Sequence, residues 1–305
     1  IIFKINEVML QVDISIIIVN YNTFALTCKC IESILKNTLD KNYELILVDN
    51  FSTECNPAMF KEKFPSVKLI TNKSNSGFAE GNNLGISNAS GTYILLLNSD
   101  TFLTENSIKK CLAVFNKNKD IAVLGCRMVY PNGEVQHSAR RFRTINWEIF
   151  DLLKFALYLM PYPQRSKKML GKYFRHDEDI ECDWVNGAFF MFPKIILDNF
   201  PQKKLDNRFF MYGEDQLWCW QIKKEGYKIF FYSGTTIVHI NSGSTKPGKI
   251  LELKKIMMKN ELIIVKERLG TSISYEIFKI IFLFKEYSRY AIKWVYWILF
   301  RRLLK

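Results

Sequence analysis

Several things are scarce in this sequence, and each scarcity narrows what the chain can be. Its seven cysteines (28, 30, 55, 111, 126, 182 and 219) are odd in number and include no CxxC pair. Several sit among apolar neighbours, so buried reduced thiols are expected rather than a metal cluster or a disulfide framework. The opening "IIFKINEVML" has neither a basic start nor a small-residue cleavage site, so it does not read as a secretory signal; Met9 is a candidate natural start. The longest uncharged runs of the C-terminal tail fall short of the roughly 20 apolar residues that a membrane span needs. Internal repeats and low-complexity linkers are lacking as well.

What is present is an ordinary globular composition with an unusual charge. The 305 residues are 48% hydrophobic and 24% charged, enough for a real core and against general disorder. That length suits one large α/β domain with appendages, or two smaller domains. The net charge of +13 points to a phosphate-rich partner: nucleic acid, nucleotides or an anionic membrane surface.

"ISIIIVN" (Ile14–Asn20) is β-branched and almost wholly apolar, as a strand covered on both faces should be. A helical stretch follows Thr23. "YELILVDN" (Tyr43–Asn50), "VKLITN" (Val67–Asn72) and "YILLLNSD" read as further strands, with "PAMFKEKF" and "GFAEGNNLGISNA" as helices between them. This alternation implies βαβ units and a mainly parallel sheet, whose ligands sit at the carboxyl ends of the strands. Asn20, Asp49, Asn72 and Asp100 fall at or just beyond four such ends. From Trp147 to Arg175 the chain is aromatic and basic without a clear period, so no elements are assigned there. Order returns with "DWVNGAFFMFP" (Asp183–Pro193), a helix from about Glu214 closed by Gly226, and the strand "KIFFY" leading to "IVHINSGST".

The tail, Ser272–Lys305, is amphipathic on a helical wheel. Lys279, Lys285, Glu286, Arg289, Lys293 and Arg301 share one half; Ile280, Ile281, Phe284, Ile292, Val295 and Leu299 fall opposite. Such a helix suits an anionic membrane interface; the alternative is a helix docked on the domain or on a partner subunit.

Five groups of residues can carry chemistry. Asp100 in "LLLNSDT" is either a turn residue or a carboxylate held to bind Mg²⁺ or Mn²⁺ through oxygen. Asp49 is either a turn residue of the same kind or a second strand-end carboxylate that accepts hydrogen bonds from a base or ribose. "NSGFAEGNN" (Asn75–Asn83) is either a Gly-punctuated loop approaching a nucleotide or a plain helix start. "GED" (Gly213–Asp215) places two carboxylates in a first helical turn, where they also complement the helix dipole. His239, one of three histidines, is a metal-ligand candidate in apolar surroundings that equally suit a core histidine.

Taken together, "IIIVNYN", "LILVDNFS", "NSGFAEGNN", "LLLNSDT", "DWVNGAFFMFP", "FFMYGEDQLWCW" and "VHINSG" resemble glycosyltransferase family 2 in order and approximate spacing. The nearest likeness is to its bacterial rhamnosyltransferase-like branch, and it covers roughly Asp13 to Thr245. The resemblance implies a GT-A fold: α/β, with a Rossmann-like, mainly parallel central sheet flanked by helices, followed here by the amphipathic tail. The implied divisions are a transferase domain over 1–248 (nucleotide half about 13–127, acceptor half about 128–248) and a helical segment over 249–305.

The implied roles run as follows. Asp49 contacts the nucleobase of the donor, with Val19 and Tyr21 packed around it and Gly77 and Asn83 beside the nucleotide. Asp100 holds a divalent cation, Mn²⁺ or Mg²⁺, with His239 as second ligand, and Asp215 is the catalytic base. Trp184, Gly187 and Glu214 belong to the acceptor side. Asn98 stands where the strict DxD motif has its first aspartate; it can accept hydrogen bonds but brings no charge.

The expected activity is inverting, metal-dependent transfer of a sugar from dTDP-rhamnose or a UDP-sugar to a saccharide or lipid-linked saccharide, in surface polysaccharide synthesis. Its expected place is cytoplasmic, peripheral on the inner face of a bacterial plasma membrane, with residues 272–305 on the lipid and no nucleic acid as partner. The alternatives are a nucleotidyltransferase of sugar-nucleotide synthesis, whose usual Gly-rich basic start is missing after the first strand, and a non-catalytic basic membrane-surface or nucleic-acid-binding protein.

Overall fold

The computed structural model describes residues 12–38, 42–240 and 250–300. Met9, the final "NSG" of "VHINSG" and the terminal "RRLLK" lie outside the described residues. The first part of the chain runs β1 (Ile14–Asn20), α1 (Phe24–Asn37), β2 (Tyr43–Asp49), α2 (Ala58–Lys63), β3 (Lys68–Thr71), α3 (Gly77–Ile86) and β4 (Tyr93–Asn98). These are the elements expected from hydrophobic pattern. Then come β5 (Thr101–Leu103), α4 (Ser107–Lys117), β6 (Ile121–Val129), β7 (Val135–Gln136) and β8 (Ala139–Arg140). Three short helices fill the stretch without a period: α5 (Ile145–Leu152), α6 (Lys154–Tyr158) and α7 (Tyr162–Met169). The rest is β9 (Ile180–Cys182), β10 (Trp184–Val185), β11 (Phe189–Pro193), α8 (Glu214–Lys224), β12 (Lys228–His239), α9 (Ile250–Leu269) and α10 (Ile273–Phe300).

One sheet organises the molecule, in the order β3-β2-β1-β4-β11-β6-β12-β5. β1 pairs in parallel with β2 and β4, and β2 with β3. β11 lies antiparallel to β4, while β12 is parallel to β6. Alternation splits each strand between two cores: Ile17, Ile46 and Leu96 belong to one, Ile16, Ile18, Leu47 and Leu97 to the other. That is why β1 needs apolar residues on both faces. The boundary expected near residue 127 falls inside β6, so the two halves share a strand and a sheet.

α3 packs unusually close to β1. A Cβ on Gly85 would come within 2.4 Å of Ile17, and one on Gly81 within 3.0 Å of Val19. Gly77, at φ +83°, would press its Cβ against the Phe210 carbonyl. Close packing on the sheet therefore accounts for Gly81 and Gly85 of "GFAEGNNLG", and the left-handed φ with the Phe210 backbone for Gly77.

The tail is docked, and in an unforeseen orientation. Its charged side faces inward. Lys285 is 1% exposed and ion-pairs with Glu148 and Asp151 of α5, and Arg289 reaches Asp151 at 2.7 Å. Although burial alone would raise it, Lys172 and Lys285 hold the Asp151 carboxyl well below the usual carboxylate range. Phe278 and Phe282 complete the buried face, and the apolar face is left outside. Among the described residues no helix is long and apolar enough to cross a membrane.

Candidate active site

Strand pairing builds the site. β1, β2 and β4 end together: Asn20 is paired with Asp49, and Val19 with Asn98. After β4 the chain turns at Ser99–Asp100, closed by Thr101 Oγ1 donating to the Asn98 carbonyl at 2.6 Å. Thr101 then opens β5, which pairs antiparallel with β12 so that Thr101 lies opposite His239. This register, together with the Ile240 N–H donating to the Asp100 carbonyl at 3.1 Å, brings His239 Nε2 to 3.3 Å from Asp100 Oδ1. The last carboxylate of the apolar strand and a histidine 139 residues later thus share one spot.

His239 is held in one tautomer. The Gln136 Nε2 amide donates to the His239 carbonyl, which turns Gln136 Oε1 toward the ring. His239 Nδ1–H donates to that oxygen at 2.8 Å, and the Nε2 lone pair is left facing Asp100 and Asn98. Asn98 Oδ1 is buried and has no hydrogen-bond partner.

This donor set fits a hard divalent cation. Among the described residues no three His, Cys, Asp or Glu side chains gather as a closed metal site. Mg²⁺-type sites commonly take one or two protein ligands and complete themselves with substrate phosphate oxygens and water. Asp100 and His239, beside the orphaned Asn98 oxygen, match that pattern.

On the opposite side, Gly213 (φ +97°) precedes α8 and turns its first residues inward. The Gly187 N–H donates to Asp215 Oδ2 at 2.9 Å and the Gln216 N–H to Oδ1 at 2.8 Å. A Cβ on Gly187 would meet the Asp215 side chain at 3.3 Å, so the "NGA" turn needs glycine to bring this donor in. Burial raises the Asp215 carboxyl above its ordinary value, against the Gly187 and Gln216 donors and the Arg140 charge. Burial, reinforced by the Asp215 charge, pushes Glu214 up to about 8. Burial thus holds both carboxyls of the pair toward their protonated forms.

Both sides line one cavity of about 650 Å³. Val19, Tyr21, Gly77, Asn98, Asp100 and His239 line one part, and Trp184, Gly187, Glu214 and Asp215 the other. Asp49 and Asn83 are not in the lining. Asp49 accepts from Asn20 Nδ2 at 2.7 Å and from the Ser52 N–H at 3.1 Å. Asn83 is spent on Leu205, donating to its carbonyl at 2.8 Å and accepting from its N–H at 3.0 Å. In place of Asp49, its neighbour Asn50 reaches the cavity, bonded to Asn75 and the Gly77 carbonyl.

Three arginines lie close together in the sequence at 140, 141 and 143, and they form no exposed patch. Arg140 lies over the Trp184 ring in the cavity, Arg141 faces Asp183, and Arg143 is set among Glu148, Glu261 and Glu286. The tail also enters the site. Asn260 of α9 donates to the Met211 and Tyr212 carbonyls, which pins the turn before α8. Lys254, Met257 and Glu261 of α9, with Phe282, Glu286 and Arg289 of α10, complete the wall.

A family model described as "Glycosyl transferase family 2" matches residues 15–170, about half of the chain. The chain belongs to glycosyltransferase family 2. Curated relatives include "Glycosyltransferase GlyG" of Streptococcus pneumoniae, 34% identical over 116 residues, which are 36% of this chain and 38% of that protein. "Minor teichoic acid biosynthesis protein GgaB" of Bacillus subtilis is 26% identical over 181 residues, 57% of this chain and 20% of that protein. The chain thus spans well under half the length of these relatives. Among solved structures, S. aureus TarS 1–349 aligns with TM-score 0.55 at 16% identity, covering 90% of this chain and 72% of that one. GalNAc-T7 with UDP, GalNAc and Mn²⁺ aligns with TM-score 0.62 at 18% identity, covering 83% and 48%. The shared architecture is the GT-A fold.

Proposed function

We propose that this family 2 chain transfers a sugar from a nucleoside-diphosphate donor to a saccharide or lipid-linked hydroxyl, with inversion, in bacterial surface polysaccharide synthesis. The observation that carries it is the placing of Asp100 with His239 and of Asp215 on two sides of one cavity. Val19, Tyr21, Asn50 and Gly77 would seat the nucleoside end. Asp100 and His239 would hold Mn²⁺ or Mg²⁺, which when bound offsets the charge of the departing diphosphate as a Lewis acid. Asp215, held by Gly187 and made more basic by burial, takes the proton of the acceptor hydroxyl as the new bond forms. Attack from the side opposite the leaving group inverts the anomeric centre, by the logic of inverting glycosidases with water replaced by an acceptor. Arg140 on Trp184 and the α9–α10 wall would meet the acceptor.

The rhamnosyltransferase-like motifs favour dTDP-rhamnose as donor. The UDP complex of GalNAc-T7 favours UDP-sugars, and the name of the Bacillus spizizenii relative "Poly(ribitol-phosphate) beta-glucosyltransferase" favours a glucosyl group. Release of nucleotide from a panel of dTDP-, UDP- and GDP-sugars, with and without Mn²⁺, decides between them. On the donor so found, Asp215→Asn keeps the Gly187 hydrogen bond but not the base. Transfer should fall by roughly 10²–10⁴ with donor affinity unchanged. Unaltered turnover would remove Asp215 from the role.

A further inference from the structure

α10 turns two opposite faces to two different surroundings. The inner face sends Phe282, Glu286, Arg289 and Tyr290 to the cavity wall and buries Phe278 and Lys285. The outer face carries Ile273, Ile277, Ile280, Phe284 and Tyr287, spaced by four and three residues as one helical stripe. These five are between 44% and 82% exposed. A second apolar group lies next to the α5 carboxylates that anchor α10: Leu152, Leu153, Phe155, Tyr158 and Leu159 are all exposed, Phe155 by 81%. An apolar helix face left in water while the charged face is buried is the reverse of the usual arrangement, and it calls for an apolar cover.

The charges around it select the cover. Between residues 145 and 175 the two carboxylates, Glu148 and Asp151, are buried and ion-paired. The exposed charges there are all positive: Lys154, Lys167, Lys168, Lys172 and Arg175. On α10 the exposed Glu276 is matched by Lys279 at 3.7 Å. A second copy meeting this surface face to face would set these lysines against one another. A bilayer with anionic headgroups meets both features, apolar side chains entering the interface and lysines facing the phosphates.

We propose that the outer stripe of α10 and the exposed residues of α5–α6 form a docking face for an anionic membrane. The catalytic cavity would then lie on the far side of the same helix. This inference stands on the surface alone and does not depend on the sugar-transfer reading, so its test needs no donor or acceptor.

The full chain is sedimented with vesicles of equimolar phosphatidylglycerol and phosphatidylcholine, and with phosphatidylcholine alone. Two variants, Ile280→Glu/Phe284→Glu and Phe155→Glu, change exposed side chains that take no part in the cavity. Wild type should bind the anionic vesicles and lose them at high salt. The double variant should bind roughly tenfold more weakly, with an unchanged unfolding midpoint. Equal binding by wild type and both variants, or equal binding to both lipids, overturns the proposal. So does a lipid-free dimer that the same substitutions dissociate, which would make a second copy the cover.

Discussion

Gln136 grips His239 with both ends of its amide, accepting from the ring Nδ1–H on one side and donating to the backbone carbonyl on the other. The grip turns Nε2 toward Asp100. Partners of this kind, which fix the tautomer and aim of a metal-ligating imidazole, commonly hold a factor of 10–100 in metal affinity. Gln136→Leu should therefore weaken Mn²⁺ binding by roughly that factor, with a shifted Mn²⁺ resonance signal. Gln136→Asn, too short to span both contacts, should restore little. Unchanged affinity in Gln136→Leu would reduce Gln136 to a packing residue. Asp100 was legible as a candidate because an apolar strand ends beside it. Gln136 was not, because it meets His239 by side-chain hydrogen bonding across 103 residues, brought there by β6, which pairs with both β7 and β12, and this leaves no local mark. Likewise the family resemblance singles out Asp49, and the structure adds its neighbour Asn50, which reaches the cavity.

Elements were legible where the apolar period faced a core. β1 and β2 match their expected limits almost to the residue, because both their faces are covered. α5 to α7 gave no period because α5 buries carboxylates: Glu148 and Asp151 sit where an ordinary amphipathic helix would carry leucine. The same inversion explains α10. Of the residues on its wheel, Lys285 and Arg289 face inward and Ile280 and Phe284 outward, so the charged side is the docked one, matched to α5. This predicts a steep dependence on one side chain. Lys285→Met removes the cation between two buried carboxylates and should cost about 3–5 kcal/mol in a urea unfolding titration. Adding Glu148→Gln should recover part of the loss. If Lys285→Met alone leaves the midpoint in place, the ion cluster is not what anchors α10.

At the scale of the whole molecule, sequence similarity and structural closure end at different places. The family match stops at residue 170, yet the sheet is not complete there. β11 is inserted between β4 and β6, and β12 between β6 and β5, so the later strands supply the middle of the sheet rather than a separate layer. The chain beyond residue 170 also supplies Gly187, Asp215 and His239 to the cavity, and α9 pins the turn before α8. A chain ending at residue 170 would leave β4 and β6 with bare edges whose two faces are apolar, the arrangement most open to aggregation. Such a fragment should give no cooperative urea transition and should associate in sedimentation velocity runs, whereas the full chain unfolds in one step. A monomeric fragment with its own sigmoidal transition would show that the nucleotide half folds alone. In that case the strand shared across the boundary near 127, β6, would be a seam between two domains. The continuous register from β4 through β11 and β6 to β12 argues for a single folding unit, in which the cavity exists only once the last strand is in place.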